Sequence, residues 1–208
     1  MKKKTILLLF FCMTAPALGA VSTKVYLADG NTPFDGQDIM VGTKLTIIIS
    51  SDANTIDPYP VDLVIEGADR NYGYLPEAYA LEAAGIEPLI YPWEDDLHQG
   101  FSFQTDVNAV AGDWFIADYI ATAVGNCMVA FYDNFEFAYY IPFSHVRTRD
   151  FNGDTKVDFA DFAMLASYWQ EANCGDVNDC EGTDLDINGR VDVNDLMLFC
   201  DFWLEKTE

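Results

Sequence analysis

The chain has 208 residues, half of them apolar, with 34 acidic and 11 basic side chains and a net charge of −23. Such acidity disfavours nucleic acid and anionic membranes as partners and favours cations. No segment reaches the roughly 18 consecutive apolar residues that span a bilayer as a helix, which speaks against a stable membrane anchor.

At the N-terminus, Lys2, Lys3 and Lys4 precede a short apolar run, Thr5 to Met13, and then small residues from Ala17 to Ala20. This order reads as a secretory signal over residues 1–19. The protein is therefore expected to be secreted and extracellular, with retention at the cell surface as the alternative. Loss of the three lysines leaves 8 basic against 34 acidic residues, a net of −26.

Residues 20–149 are long enough for one domain. Seven runs have strand character: Lys24 to Ala28, Lys44 to Ser50, Val61 to Glu66, Gly100 to Asp106, Trp114 to Val124, Cys127 to Tyr132 and Ala138 to Phe143. Turn signals such as Asp35-Gly36, Gly125-Asn126 and Asp133-Asn134 separate them. Short strands at this spacing predict an all-β sandwich. The segment from Pro76 to Gly85, rich in alanine and glutamate, predicts a short helix across one end. Tyr72, Tyr74, Tyr79, Tyr91, Trp93, Phe101 and Phe103 cluster in the middle, either as core or as a platform for sugar rings. Glu94, Asp95 and Asp96 form a carboxylate run, read as a solvated turn, and no catalytic residue is assigned. His98 and His145 sit in no metal or nucleophile spacing.

The segment from Pro142 to Arg149 runs into the tail without a Pro/Thr- or Ser/Gly-rich linker, so the tail is expected to pack against the sandwich. The tail repeats a pattern at an offset of 34 residues. In the first loop, 150–161, oxygen side chains come from Asp150, Asn152, Asp154, Asp158 and Asp161. In the second, 184–195, they come from Asp184, Asp186, Asn188, Asp192 and Asp195. These are positions one, three, five, nine and twelve of an EF-hand loop, and Lys156 and Arg190 at position seven would add main-chain carbonyls. Two Ca2+ ions are thus predicted. Gly189 holds the sixth position of the second loop, where the backbone turns sharply, but the first loop has Thr155 there and Gly153 at the fourth.

Each loop is followed by apolar residues at helical spacing: Phe162, Leu165, Ala166 and Trp169, then Leu196, Phe199, Cys200 and Trp203. Cys200 is placed on the buried side. Neither loop is preceded by a helical pattern, unlike a standard EF-hand. Cys174 and Cys180 flank a turn between the two units, where a local disulfide would staple the connection; four cysteines outside the signal permit three pairings. The tail from Asp150 on holds 15 acidic and 3 basic residues, so its folding is expected to be coupled to ion binding.

The two Asp-rich runs, each followed by one helix, resemble a type I dockerin over residues 150–208. The resemblance implies a small helical calcium-binding domain after the sandwich, and a cohesin-like domain of another protein as partner. In that family, loop positions ten and eleven often read the partner; here they are Phe159, Ala160, Val193 and Asn194. The sandwich is similar in outline to cohesins and carbohydrate-binding modules, through the strands around Gly42 to Ile49 and Gly112 to Ala117. The implied function is non-catalytic attachment in extracellular polysaccharide breakdown, with a polysaccharide as a second partner. The alternative is a small secreted glycoside hydrolase or carbohydrate-binding protein whose calcium tail is structural.

Overall fold

The computed structural model describes residues 20–176 and 178–207; the expected signal segment, 1–19, lies outside them. In chain order the strands are β1 (Val21–Tyr26), β2 (Ile39–Met40), β3 (Lys44–Ser51), β4 (Pro60–Glu66), β5 (Gly73–Tyr74) and β6 (Ala78–Ala80). They continue with β7 (Leu89–Glu94), β8 (His98–Gln104), β9 (Gly112–Ala121), β10 (Gly125–Asp133) and β11 (Glu136–Val146). One sheet has the order β1-β3-β9-β5, with β6 also paired to β9; the other runs β2-β11-β10-β4-β8-β7. All pairings are antiparallel except the short β11–β2 contact.

Period-two alternation builds the space between the sheets. Leu45, Ile47 and Ile49 of β3 face Val61, Leu63 and Ile65 of β4 across a core that also takes Phe103, Trp114, Phe115, Tyr119, Phe131 and Phe143. The result is a β-sandwich followed by a tail whose longer helices are Phe159–Ser167 and Val193–Cys200, with a 3-10 turn at Cys174–Asp176 and a four-residue helical stretch at Asn178–Glu181 between them. His145 is buried, with Nε2 2.7 Å from the Tyr119 hydroxyl and Nδ1 3.1 Å from the Ala123 carbonyl. Burial pushes its pKa below the ordinary histidine value. Among the described residues, no helix is long and apolar enough to cross a membrane.

The helix expected over Pro76 to Gly85 is absent. Ala78–Ala80 instead pairs with Phe115, Ile116 and Ala117 of β9, and only Glu82–Ala84 forms a single 3-10 turn. The alanine-rich composition favours helix, but pairing with β9 takes up the backbone of Ala78–Ala80 instead. β7 also falls outside the expected strands. It carries Pro92, which cannot donate to a ladder, and it lies at the sheet edge, where that loss is tolerated. Glu94 at its end is ion-paired with Arg70, and Asp95 accepts from the Leu97 and His98 N–H groups and faces the His98 ring, so these carboxylates serve local structure.

The tail has its own core: Val157, Leu165, Cys174, Cys180, Leu185, Val191, Phe199 and Phe202, joined by Met40 from β2. Arg149, only 4% exposed, closes the junction. Its amide reaches Met40 Sδ at 3.3 Å, its Nε donates to the Leu198 carbonyl at 3.1 Å, and its guanidinium lies 4.5 Å over the Phe202 ring. Arg147 pairs with Asp179 at 2.9 Å, and the Lys44 amide of β3 donates to the Thr207 carbonyl. These contacts span both parts of the chain.

Candidate metal centre

The two tail loops share the same main-chain bracing. In the first, one Asp161 oxygen accepts from the Phe151 and Asn152 amides (2.8 and 3.2 Å) and the other from the Asp158 amide (2.9 Å). In the second, Asp195 accepts from Leu185, Asp186 and Asp192 at 2.7, 3.2 and 2.8 Å. Asp150 accepts from Asp154 and Thr155, as Asp184 does from Asn188 and Gly189. Asp158 and Asp192 are the helix N-caps, closing capping boxes with Asp161 and Asp195. The residue at position twelve therefore ties the start of the loop to the start of the helix.

Both loops need left-handed backbone at positions four and six. The first meets this with Gly153 (φ 72) and Thr155 (φ 74), the second with Ile187 (φ 58) and Gly189 (φ 90). Each loop thus has glycine at one of the two positions and a β-branched residue at the other, which is the costlier choice. Replacing Thr155 with glycine should remove about 1–2 kcal/mol of left-handed strain against about 0.5–1 kcal/mol of added chain entropy. First-loop cation affinity is expected to rise roughly two- to fivefold, read by calorimetry; a fall in affinity would overturn the strain assignment.

The charge arrangement is unbalanced. Asp161, Asp184 and Asp195 are fully buried and Asp150 nearly so. The ion pairs among the described residues leave these four without a cationic partner. One oxygen each of Asp184, Asp186 and Asp195 lie within 4.8 Å of one another. Burial pushes the Asp184 carboxyl up. The Gly189 and Asn188 amides pull it back, and the Asp195 and Asp186 charges add to the upward push. Buried like charges at this range are costly without a counterion. The donors are all hard oxygen, which suits Ca2+ rather than a thiolate- or imidazole-seeking metal. In the first loop the third position is Asn152, so the corresponding trio, Asp150, Asn152 and Asp161, carries one charge fewer. Lys156 and Arg190 point exposed side chains outward, leaving only their carbonyls for an ion.

Phe159, Ala160, Val193 and Asn194 are exposed at the first turns of their helices. Phe159 stands edge-on to Trp203, with ring centroids 4.9 Å apart. The apolar faces expected of the helices are only partly buried: Leu165 and Phe199 enter the core, while Phe162, Ala166 and Trp169 remain exposed. Cys200, expected on the buried side, is exposed, because Phe199 and Phe202 turn into the core and rotate it outward. Cys174 and Cys180 are disulfide-bonded within the tail core. Asp179, Cys180 and Glu181 beside the bond all have positive φ. Met40, Arg149 and Thr207 were not legible as part of this centre, since nothing local marks a residue that acts through distant contacts. The Thr207 amide donates to the Thr155 carbonyl, so the last described residue braces the first loop.

Residues 148–200 match the family model of the type I dockerin domain. No curated protein matches the chain. Among solved structures, the chain is similar to the cohesin module of a family 33 glycoside hydrolase from Clostridium perfringens. That match has 7% identity and a TM-score of 0.40, and covers 62% of this chain and 99% of that one. It is also similar to the sixth cohesin of scaffoldin B from Acetivibrio cellulolyticus, solved in complex with a dockerin. There the identity is 9%, the coverage 59% and 98%, and the TM-score 0.38. A third is the C-terminal domain of the antigen I/II polypeptide BspA from Streptococcus agalactiae, at 9% identity, 61% and 50% coverage and a TM-score of 0.38.

Proposed function

We propose that this chain is a secreted, non-catalytic attachment protein: a β-sandwich domain over 20–149 fixed to a dockerin-like domain over 150–208. The tail holds two Ca2+ ions, one in each loop, and docks in trans onto a cohesin-type domain in an assembly that degrades extracellular polysaccharide. The reading rests on one observation: four buried tail carboxylates without a cationic partner, in a segment that matches the dockerin family. Bound calcium would neutralise the carboxylates and hold each loop against its helix, which fixes the exposed first turns for docking.

Exposed apolar side chains beside the loops support a docking role. Phe159 is 75% exposed, Val193 57% and Met197 64%. Side chains of this kind, buried on association, act as interface anchors. Immobilised type I cohesin domains should retain the protein in calcium and release it in chelator. Phe159→Glu combined with Val193→Glu should weaken retention by about tenfold or more. Failure of every cohesin to retain the calcium-loaded protein would refute the docking.

A further inference from the structure

We propose that the outer face of the second sheet carries a cleft that binds a neutral oligosaccharide. This extends the attachment reading to the cargo half of the molecule and does not depend on the tail. In β4, Val61, Leu63 and Ile65 fill the core, so Asp62, Val64 and Glu66 face outward. The register sets Val64 beside Ala130 of β10 and Gly100 of β8, and Gly100 beside Trp93 of β7. The middle row of this face is therefore Ala130, Val64 and the bare backbone of Gly100, ending at an indole. Gly100 is required by the close approach of β4 to β8: a Cβ there would meet the Leu63 carbonyl oxygen at 2.1 Å.

The flanking rows bring the polar groups. Tyr132 lies beside Asp62 in one, and Glu66 lies beside His98 in the other. Phe135, 75% exposed in the β10–β11 turn, stands at the end. Together they enclose a hollow of about 270 Å3. Trp93 also borders a second hollow of about 230 Å3, which shares Glu94 and Gln99 with a third of about 620 Å3 beside Arg70 and Tyr74. Glu94 and Gln99 alternate with Trp93 and His98 along β7 and β8, so these two hollows lie round the β7 edge, on the other side of the strand from the first.

The chemistry is that of a sugar. Trp93, Tyr132 and Phe135 line the hollow, and aromatic rings are the side chains that pack against the C–H side of a pyranose. Asp62 makes no ion pair, Glu66 accepts the Tyr132 hydroxyl at 2.6 Å, and His98 uses Nδ1 toward Asp95, leaving Nε2 without a protein partner among the described residues. The Trp93 indole N–H, buried in the wall, also lacks a partner there. Hydroxyls that both donate and accept suit this mixture. An anion is opposed by the two carboxylates and by the overall charge of −23. An organic cation would serve the carboxylates but leave the donors unused.

The test is calorimetric and NMR titration of the full chain, in calcium, with cellohexaose, xylohexaose and mannohexaose, and with choline as the cationic control. At least one hexasaccharide should bind with a Kd below about 1 mM. Trp93→Ala should abolish that binding. Phe135→Ala, at a residue too exposed to hold the fold, should weaken it about fivefold with unchanged melting. Absence of binding by all three sugars, equal affinity in both variants, or tighter binding of choline overturns the proposal. Cohesin retention is scored separately on the same protein, so the cleft and the tail can each fail alone.

Discussion

Replacing Asp195 with alanine is expected to abolish cation binding by the second loop and to loosen the helix that follows. The carboxylate is fully buried and accepts three main-chain N–H groups, from Leu185, Asp186 and Asp192. It is also one of the trio whose oxygens lie within 4.8 Å. Its removal strands those donors, breaks the capping box and deletes a charged ligand. Unsatisfied buried donors alone cost about 1–3 kcal/mol each, so a loss of about 100-fold or more in second-loop affinity is expected. Calorimetry should count one ion per chain instead of two, with a smaller helical signal in calcium. Asp195→Asn keeps acceptor capacity while removing charge, so it separates bracing from coordination. Two ions still bound to the alanine variant would overturn the assignment.

The second large effect belongs to Arg149. Burial pushes its guanidinium down, while the charges of Asp201, Asp38 and Glu205 oppose that. Its loss would leave the Leu198 carbonyl without its Arg149 donor and empty the space over Phe202. Arg149→Ala should destabilise the tail by about 3 kcal/mol. At about 2–4 °C per kcal/mol for a chain of this size, melting should fall by about 6–12 °C. Arg149→Lys should recover little, because an ammonium cannot reproduce a stacked planar fork. Full recovery by lysine would show that charge alone matters and that the stacking does not. First-loop cation affinity should fall along with the melting temperature, since Asp150 follows directly in the chain.

How much of this was legible depended on how locally each feature is encoded. The strands around Ile47, Leu63, Phe101, Trp114, Val129 and Ile141 follow from alternation, and their bounds shift by a few residues. Edge elements escaped: β7 because Pro92 masks it, and β5 and β6 because two or three residues carry no period. The frame of the loops was legible because its hydrogen bonds join residues within about a dozen positions of each other. Thr155 shows the reverse, since its left-handed backbone keeps the register that its side chain argues against. The orientation of Cys200 depended on which neighbour won the core, and spacing alone could not decide between Phe199 and Cys200.

Met40 has a consequence for how such proteins are rearranged. Its side chain comes from the sandwich yet completes the second core. A tail cut at residue 150 and joined to another carrier would keep both loops but leave an apolar vacancy where the thioether sat. This tail is therefore not a freely transferable cassette. A working graft has to carry the Ile39–Met40 strand with it, or find a substitute plug on its new host.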